Sequence, residues 1–399
     1  MRAFLAYFAW KHRDTETFVH IGDEAFLSTE VSSIPNNQTA KRKLSHIQTT
    51  LHQDVQSHTL SGFDDVRLIH KALPEINRDD IDLSTEMFGH KMNAPLVIES
   101  MTGGTPTAAK INRTLAKVAE KLGLGMGVGS QRAAIEDQHL AYTYRAAREV
   151  APSIPLFANL GCPQLARDDG IDRAKKAVDM IDATGLFIHL NALQESVQYE
   201  GETNFGKMLN KIRELVRSLP VPVLVKETGA GITRETSQAV EAIGVKGINV
   251  SGLGGTSWAG VEYYRAKEGG RTVQVELGTT FWDWGNPTVP CIIEAAKSTR
   301  LKIFASGGVR NGLHVAKAIA LGAHYGGLAL PMLKAAALGE KAAIARLTVV
   351  TEELRNALFL TGSHNLTELQ RVPLVISGDT FLWLTERGID PARYAQQRT

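Results

Sequence analysis

Short apolar runs alternate with amphipathic stretches from about residue 95 onward. The amphipathic stretches space their apolar residues as helices do, for example at 108–122, 205–218, 233–243 and 312–321. The apolar runs are rich in β-branched residues and too short for helices, so they predict strands. Eight of these runs follow one another, at 95–100, 124–130, 154–160, 186–191, 223–227, 247–252, 303–307 and 325–330.

This order of elements predicts an α/β protein with a (β/α)8 TIM barrel. Continuous apolar strands indicate burial on both faces, which a parallel sheet covered by helices requires. Eight strand–helix repeats in sequence favour a closed barrel over an open doubly wound sheet. Sites in such barrels lie at the carboxyl ends of the strands, so we look for function in the residues that end each run.

The first 40 residues do not share this pattern. Their apolar residues are irregularly spaced, and the segment finishes in the polar stretch 32–39. We expect residues 1–40 to form an N-terminal extension or linker without an assigned role, and residues 41–399 to form the barrel domain.

Composition and charge are those of a soluble globular protein. The 399 residues include 44 Lys plus Arg and 42 Asp plus Glu, which gives no reason to expect nucleic acid or an anionic membrane as partner. Cys162 and Cys291 form no C-x-x-C pair, which disfavours a zinc or dithiol site and is typical of a reducing compartment. No apolar run approaches the roughly 18 residues of a membrane span, and residues 3–10 lack the flanks of a secretory signal. We therefore predict a cytoplasmic protein.

Two glycine-rich turns end late strands, at 251–256 and 306–310. Glycines let backbone N–H groups approach a phosphate closely, and a helix that starts next to them favours the anion. The same glycines are also typical of tight turns without a ligand. Thr256 and Arg310 add further donors, which favours the phosphate interpretation.

Lys226 lies at the end of the fifth predicted strand, after the apolar residues 223–225 and before Glu227. An unpaired ammonium is costly to bury, so a lysine at this position indicates a function at the mouth of the barrel. It could form a Schiff base or pair with an anionic cofactor ring, and the residues alone do not separate these two roles.

Four polar residues lie within seven positions at the end of the fourth strand. His189 and Asn191 share one face by the two-residue alternation of a strand, and Gln194 and Glu195 follow after two apolar residues. A lone histidine here would be interpreted as a hydrogen-bonded core residue, but its polar neighbours favour a site. Glu195 is a candidate Mg²⁺ ligand, because magnesium takes one or two carboxylates together with phosphate oxygens.

Two basic clusters are further candidates for the site, at 41–43 and 130–132. Charge runs are usually solvated surface, and on composition alone that interpretation is preferred for the first cluster. Together the two clusters could bind a diphosphate, with arginine supplying bidentate hydrogen bonds.

At these residues the sequence resembles the type 2 isopentenyl-diphosphate isomerases, a family of FMN-dependent enzymes. The resemblance covers about residues 41–370, and two positions depart from the family pattern, Ala192 where members often have Pro and Glu202 where Asp is usual. The matching stretches are 42–47, 100–104, 126–132, 189–195, 200–201, 225–227, 251–258, 284–288 and 306–310.

The resemblance implies an isomerase that interconverts isopentenyl diphosphate and dimethylallyl diphosphate without net redox change. It also implies FMN, reduced by NADPH or NADH, a Mg²⁺ ion and a homo-oligomer of four or more chains. The residues that it assigns to FMN are Ser100, Met101, Thr102, Ser130, Asn159, Lys226, Ser251, Thr256, Gly308, Val309, Arg310, Ala329 and Leu330. Those that it assigns to the substrate are Arg42, Lys43, Ser130, Gln131, Arg132 and Gln194.

By the same resemblance, Glu195 would bind Mg²⁺ and Gln194 would contact the substrate near its reacting carbons. We expect Gln194, His189 and Asn191 to serve catalysis, without assigning the proton transfer to one of them.

Two other functions are compared with this one. An FMN-linked 2-hydroxy-acid oxidase places a histidine and an arginine in the loop after a late strand, and the loop 251–258 contains no histidine. A barrel that binds a phosphorylated ligand without catalysis would not need Gln194, Glu195, Lys226 and Arg132 together. Both alternatives are disfavoured by these residues.

Overall fold

The computed structural model describes residues 38–396, so the part of the predicted extension that spans 1–37 lies outside the described residues. Eight parallel strands close into a barrel in chain order, with the first strand paired to both the second and the eighth. The predicted (β/α)8 fold is therefore confirmed. We number the barrel strands β1 Leu96–Ile98, β2 Gly125–Gly127, β3 Leu156–Gly161, β4 Gly185–Leu190, β5 Val223–Glu227, β6 Gly247–Asn249, β7 Lys302–Ala305 and β8 Tyr325–Leu328.

Helices surround the barrel. The α-helices are Gln38–His52, Pro106–Leu122, Arg132–Glu136, Tyr142–Arg148, Cys162–Leu165, Gly170–Met180, Ala192–Val197, Met208–Ser218, Arg234–Glu241, Trp258–Glu268, Thr272–Thr280, Thr288–Ser298, Gly312–Ala320, Leu330–Ala337, Glu340–Thr361, Leu366–Leu369, Gly378–Glu386 and Ala392–Ala395. Short 3₁₀ helices span Phe63–Asp65, Arg78–Asp80 and Gln138–Leu140. In the described part of the chain, no helix is long and apolar enough to cross a membrane.

Four further strands form two antiparallel pairs outside the barrel. Val66–Leu68 pairs with Leu374–Ile376, and Thr85–Met87 pairs with His90–Met92 as a hairpin. Phe88 and Gly89 form the two-residue turn of the hairpin with φ values of 48° and 85°, as a turn matched to the twist of its strands requires.

The hairpin closes the amino-terminal end of the barrel. Met87 and Met92 are buried in one cluster with inward-facing residues of the barrel strands. The barrel members of that cluster are Val97, Phe157, Phe187, Leu224, Phe304 and Tyr325. With this end filled by side chains, the carboxyl ends of the strands are the open end of the barrel.

The helix Gln38–His52 forms one wall of that open end. It buries Leu44 and Ile47, while Arg42, Lys43 and His46 line the cavity at the strand ends. Residues 38–40, which the sequence pattern assigns to the extension, are the first turn of this helix. The division of the chain at residue 40 stays a prediction.

Candidate active site

A cavity lies at the carboxyl ends of the barrel strands, and its empty space, including the open mouth, is about 1510 Å³. The residues predicted from the sequence that line it are Arg42, Lys43, Ser100, Met101, Thr102, Ser130, Arg132, Asn159, His189, Asn191, Gln194, Glu195, Lys226, Ser251, Thr256, Gly308, Val309, Arg310, Ala329 and Leu330.

Gln131 is the predicted site residue that the structure does not bring to the cavity. Its side chain is fully buried, donates from Nε2 to the carbonyl oxygen of Ala177 at 2.7 Å and accepts from the backbone N–H of Asn159 at 2.9 Å. Contact with a ligand would require this amide to leave both hydrogen bonds. Its observed contacts instead connect the loop after β2 to β3.

The two glycine-rich loops pack backbone against backbone. A Cβ atom added at Gly255 would lie 2.7 Å from the nitrogen of Gly308, and one added at Gly308 would lie 2.5 Å from the oxygen of Gly254. Gly308 also has a φ of 71°, which side chains rarely adopt. The helix Gly312–Ala320 begins directly afterwards and is capped by Asn311. This arrangement suits a phosphate.

Lys226 is buried between carboxylates at the end of β5. Its Nζ donates to the carbonyl oxygen of Glu227 at 2.8 Å, and burial lowers the pKa of Lys226 although the charges of Glu99 and Glu227 oppose this effect. Glu99 in turn accepts from Asn249 at 2.7 Å, and Asn249 accepts from the Ser306 hydroxyl at 2.6 Å. The Glu227 carbonyl and the charges of Glu99 and Glu227 therefore compensate the buried ammonium, while Asn249 and Ser306 hold the Glu99 carboxylate in place.

His189 is a neutral hydrogen-bonding group in this site. Its Nδ1 lies 2.7 Å from the amide oxygen of Asn159, so Nδ1 carries the proton. Burial, and then the cations Lys226, Lys43 and Arg42, lower the pKa of His189 to about 3. A group with this pKa orients a ligand rather than accepting its proton near pH 7.

Arg42, Lys43 and Arg132 form the basic side of the cavity. Arg132 is paired with Glu136 at 2.8 Å and with Glu202 at 2.9 Å. Burial, followed by the charges of Arg42 and Arg132, lowers the pKa of Lys43 to about 7. The site is thus short of negative charge around Lys43, as expected where an anion binds.

Glu195 lies beside the basic side and is itself buried. One carboxylate oxygen accepts from Asn191 Nδ2 at 2.7 Å, and the other accepts from the backbone N–H of Glu202 at 2.7 Å. Burial raises the pKa of Glu195 in spite of these bonds. Asn191 therefore orients this carboxylate, while its own amide oxygen has no hydrogen-bond partner among the described residues.

A second charged group lies behind the cavity wall and centres on Glu262. Its Oε1 lies 2.9 Å from His46 Nε2 and accepts from Gln194 Nε2 at 3.0 Å, while Arg265 binds the other carboxylate oxygen. Burial alone would raise the pKa of Glu262, but His46 and Arg265 outweigh it and lower the pKa to about 2. An ionised carboxylate therefore holds both His46 and Gln194, two residues that line the cavity.

Sequence analysis missed Glu262 and Glu99. Glu262 lies in the helix Trp258–Glu268, which follows the glycine-rich loop after β6, and it occupies the buried face between Val261 and Ala266. A carboxylate on an otherwise apolar helix face near a predicted strand end was the available signal. Glu99 gave a similar signal, since it interrupts the apolar run of the first strand.

The residues present fit FMN and a magnesium ion that is shared with a ligand. Ser100 has a buried hydroxyl in the cavity without a hydrogen-bond partner among the described residues, and the loops around Gly308 leave backbone donors for a phosphate. In residues 38–396, no three His, Cys, Asp or Glu side chains converge as a metal site. Glu195 could bind Mg²⁺ only together with oxygens from another molecule, such as a diphosphate.

Several solved structures have the same architecture. A lactate oxidase from Pediococcus acidilactici superimposes with a TM-score of 0.61 at 18% identity, covering 85% of this chain and 93% of that chain. The flavin-binding domain of baker's yeast flavocytochrome b2 gives 0.62 at 17% identity, with 82% and 81% covered. At these identities the likeness concerns the fold alone.

Other proteins are more similar to this chain in sequence. The family model of FMN-dependent dehydrogenases matches residues 38–147 and 170–375. The isopentenyl-diphosphate delta-isomerase of Thermococcus kodakarensis is 46% identical over 368 residues, covering 90% of this chain and 97% of the relative. That of Methanothermobacter thermautotrophicus is 44% identical over 356 residues, with 89% and 99% covered. The chain therefore belongs to the FMN-dependent dehydrogenase family and groups there with the isopentenyl-diphosphate delta-isomerases.

Proposed function

We propose that this protein interconverts isopentenyl diphosphate and dimethylallyl diphosphate, using reduced FMN and Mg²⁺ without net redox change. The observation that carries the proposal is that one cavity is lined by three cations for a diphosphate, by two glycine-rich loops for the FMN phosphate and by His46 and Gln194. An oxidase of 2-hydroxy acids has no need of this basic side.

The flavin would lie against the strand ends, with its phosphate at the loops 251–256 and 306–310. When bound, reduced FMN supplies an electron-rich ring that can stabilise positive charge and exchange a proton. Lys226 at the end of β5 would favour negative charge on that ring. Ser100, with its unpartnered hydroxyl, would supply a hydrogen bond.

The diphosphate would bind on the basic side. Arg42 and Arg132 would offer paired N–H donors to its oxygens, and Lys43 would add a point charge. Arg132 already pairs with Glu202, so the substrate has to compete with that carboxylate. Mg²⁺ on Glu195 would compensate the additional negative charge of the complex.

His46 and Gln194 would act on the alkene end of the substrate. With Gln194 Nε2 donating to Glu262, its amide oxygen remains as an acceptor toward a ligand. Burial lowers the pKa of His46, and the ionised Glu262 opposes this effect and keeps the imidazole proton on Nε2, which fixes the tautomer that His46 presents to a ligand. The helix Gln38–His52 would limit access of water to these groups.

An anaerobic assay with isopentenyl diphosphate, FMN, Mg²⁺ and NADPH tests the proposal directly. We expect dimethylallyl diphosphate to form only when FMN and a reductant are both present, without stoichiometric consumption of NADPH. Separate omission of FMN, NADPH and Mg²⁺ identifies what the reaction requires. Arg132→Met should raise the KM for the substrate more than it lowers kcat.

Two results would contradict the proposed isomerase activity. Oxidation of lactate or mandelate by the FMN-loaded protein, without isomerisation, would favour an oxidase like the structural neighbours. A protein that holds FMN but converts none of these substrates would favour a binding protein.

The identity of the reductant and the assembly are part of the same proposal. We propose NADPH as reductant, which anaerobic bleaching of the FMN absorbance with NADPH and NADH in parallel would check. We propose a homotetramer or a larger homo-oligomer, which light scattering of the purified protein would check.

A further inference from the structure

A short segment crosses both glycine-rich loops on the outside of the cavity, and we call residues 55–61 the crossing segment. Its Ser57 N–H donates to the oxygen of Gly255 at 2.8 Å, and the N–H of Ser257 donates to the oxygen of Val55 at 2.7 Å. Gln56 and Thr256 form the antiparallel bridge between these bonds. The crossing segment therefore extends the loop after β6 like an added strand.

The crossing segment also contacts the loop after β7. The side-chain oxygen of Gln56 accepts from Nη2 of Arg310 at 2.9 Å. A Cβ atom added at Gly308 would lie 2.8 Å from the Cβ of Ser61, and one added at Gly254 would lie 2.4 Å from it. The two loops expected to bind the FMN phosphate are thus fixed to each other by the same seven residues.

Asp283, which lies outside the cavity lining, fixes the crossing segment from behind. Its Oδ1 accepts from the Ser57 hydroxyl at 2.7 Å and from the backbone N–H groups of His58 and Thr59 at 2.7 and 3.2 Å. Its Oδ2 lies 2.8 Å from Nδ1 of His58. Partial burial alone would raise the pKa of Asp283, but these hydrogen bonds outweigh it and lower the pKa.

Trp282 adds two bonds at the same place. Its Nε1 donates to the carbonyl oxygen of Gln56 at 2.9 Å, and its own carbonyl accepts from the Ser257 hydroxyl at 2.6 Å. The ring also stacks on His58, with centroids 5.4 Å apart. The turn after the helix Thr272–Thr280 therefore holds the crossing segment by side chains and backbone alike.

We propose that Asp283 is a positioning residue for the FMN phosphate, acting through the crossing segment and Gln56 on Arg310. This inference rests on the proposed function, because it takes FMN as the cofactor. A single carboxylate that accepts this many hydrogen bonds fixes the loop conformation before the ligand binds. Phosphate binding therefore does not have to supply the free energy of ordering the loops.

The test compares FMN with riboflavin, which lacks the phosphate. Apoprotein is titrated with each flavin, and the dissociation constants are measured by flavin fluorescence for the unaltered protein, Asp283→Ala and Gln56→Ala. We expect Asp283→Ala to weaken FMN binding about tenfold or more, since several hydrogen bonds to a charged group are lost. Riboflavin binding should change by less than about twofold on the same reasoning, because its ring contacts stay intact.

Two further variants sharpen the comparison. Gln56→Glu would add a carboxylate beside Arg310 and should weaken FMN binding more than Gln56→Ala does, without changing riboflavin binding. Asp379→Ala removes an exposed aspartate on the helix Gly378–Glu386 and should change the dissociation constant of neither flavin. Circular dichroism checks that each variant folds. If Asp283→Ala does not fold, the Gln56→Ala variant alone tests the inference.

The outcomes separate this inference from the proposed function. Equal affinity of the unaltered protein for FMN and riboflavin would contradict an FMN phosphate site altogether. A normal preference for FMN that survives in the Asp283 and Gln56 variants would overturn this inference and leave the function standing. An equal loss of affinity for both flavins would also overturn this inference, since Asp283 would then be a general structural residue.

Discussion

Three cations share the basic side of the cavity, and their mutual repulsion shapes its chemistry. Arg132 is paired with two carboxylates, whereas Lys43 is half-buried beside Arg42 and Arg132. A diphosphate bound at the basic side would reduce the repulsion among these cations. The protonation of Lys43 is the most direct measure of this reduction.

We expect diphosphate binding to transfer a proton to Lys43 when the pH is above about 7. The pKa of Lys43 is lowered to about 7 by burial and by its neighbours, so the free site is mostly protonated at pH 6 and mostly neutral at pH 8. An anionic ligand raises this pKa again. Calorimetric titration in buffers of different ionisation enthalpy measures the proton uptake, with isopentenyl diphosphate as ligand.

The Lys43→Met variant isolates this proton from those of the ligand itself. It should show up to one proton less uptake at pH 8 and no difference at pH 6. Lys121→Met, at an exposed position of the helix Pro106–Leu122, is the control and should behave as the unaltered protein. Identical uptake by Lys43→Met at pH 8 would show that Lys43 is already charged in the free site.

Glu262→Gln should reduce kcat by about 100-fold or more, within the range for loss of a positioned proton-transfer group. The charge of Glu262 counteracts the effect of burial on His46, so its removal should lower the pKa of His46 further. The limb of the pH–rate profile that depends on protonated His46 should therefore move to lower pH. NMR titration of the imidazole checks the same shift.

Glu268→Gln is the control for this prediction, because Glu268 is exposed on the same helix. It should leave both kcat and the pH profile unchanged. An unchanged pH profile in Glu262→Gln would mean that the carboxylate supports the helix only.

At the scale of elements, sequence pattern predicted the barrel strands because each is buried on both faces. The barrel strands are shorter than several of the predicted runs, for instance 96–98 within 95–100, because the last residues leave the ladder to form the site loops. The helix Gln38–His52 was not predicted. Arg42, Lys43 and His46 of this helix face the cavity, so the polar residues in the pattern were typical of a solvated linker.

The hairpin was missed for a related reason. The strands Thr85–Met87 and His90–Met92 are three residues long, and each brings one methionine to the barrel core. So short an alternation is not distinguishable from a loop in a single sequence. Its contribution becomes visible only when the barrel it closes is known.

Met87→Ala should lower the free energy of unfolding by about 2–5 kcal/mol, the range for a buried methionine whose removal leaves a cavity. Met87 is fully buried in the cluster at the closed end of the barrel. The midpoint of urea unfolding measures the change, and the Kd for FMN should not change because the cavity is at the other end. Lys91→Ala, exposed in the same hairpin, should have little effect on either quantity.

A change in Kd for FMN as large as the loss of stability would contradict this separation of the two ends. The same pair of measurements applied to Lys226→Ala should give the opposite result, weak FMN binding with a smaller loss of stability. The two variants together test whether the barrel divides into a structural end and a binding end.

At the scale of the whole molecule, the site joins segments that are far apart along the chain. His46 and Glu262 are separated by 216 positions and still form one hydrogen bond. Residues at strand ends could be predicted to converge, because barrel topology brings all those ends together. Glu262 and Asp283 could not, because their places depend on how helices and loops pack after the strands are set.

A site assembled from so many segments links cofactor binding to the stability of the entire barrel. FMN binds the folded chain, so at a free concentration of 100 times its Kd it should stabilise the fold by about 2.7 kcal/mol. Thermal unfolding of apoprotein with increasing FMN should show a midpoint that rises continuously with concentration. Lys226→Ala should need a higher FMN concentration for the same rise, whereas Lys246→Ala, exposed just before β6, should follow the unaltered protein. A midpoint that does not depend on FMN would mean that the cavity does not bind this cofactor in the folded state, and isomerase activity would then need another explanation.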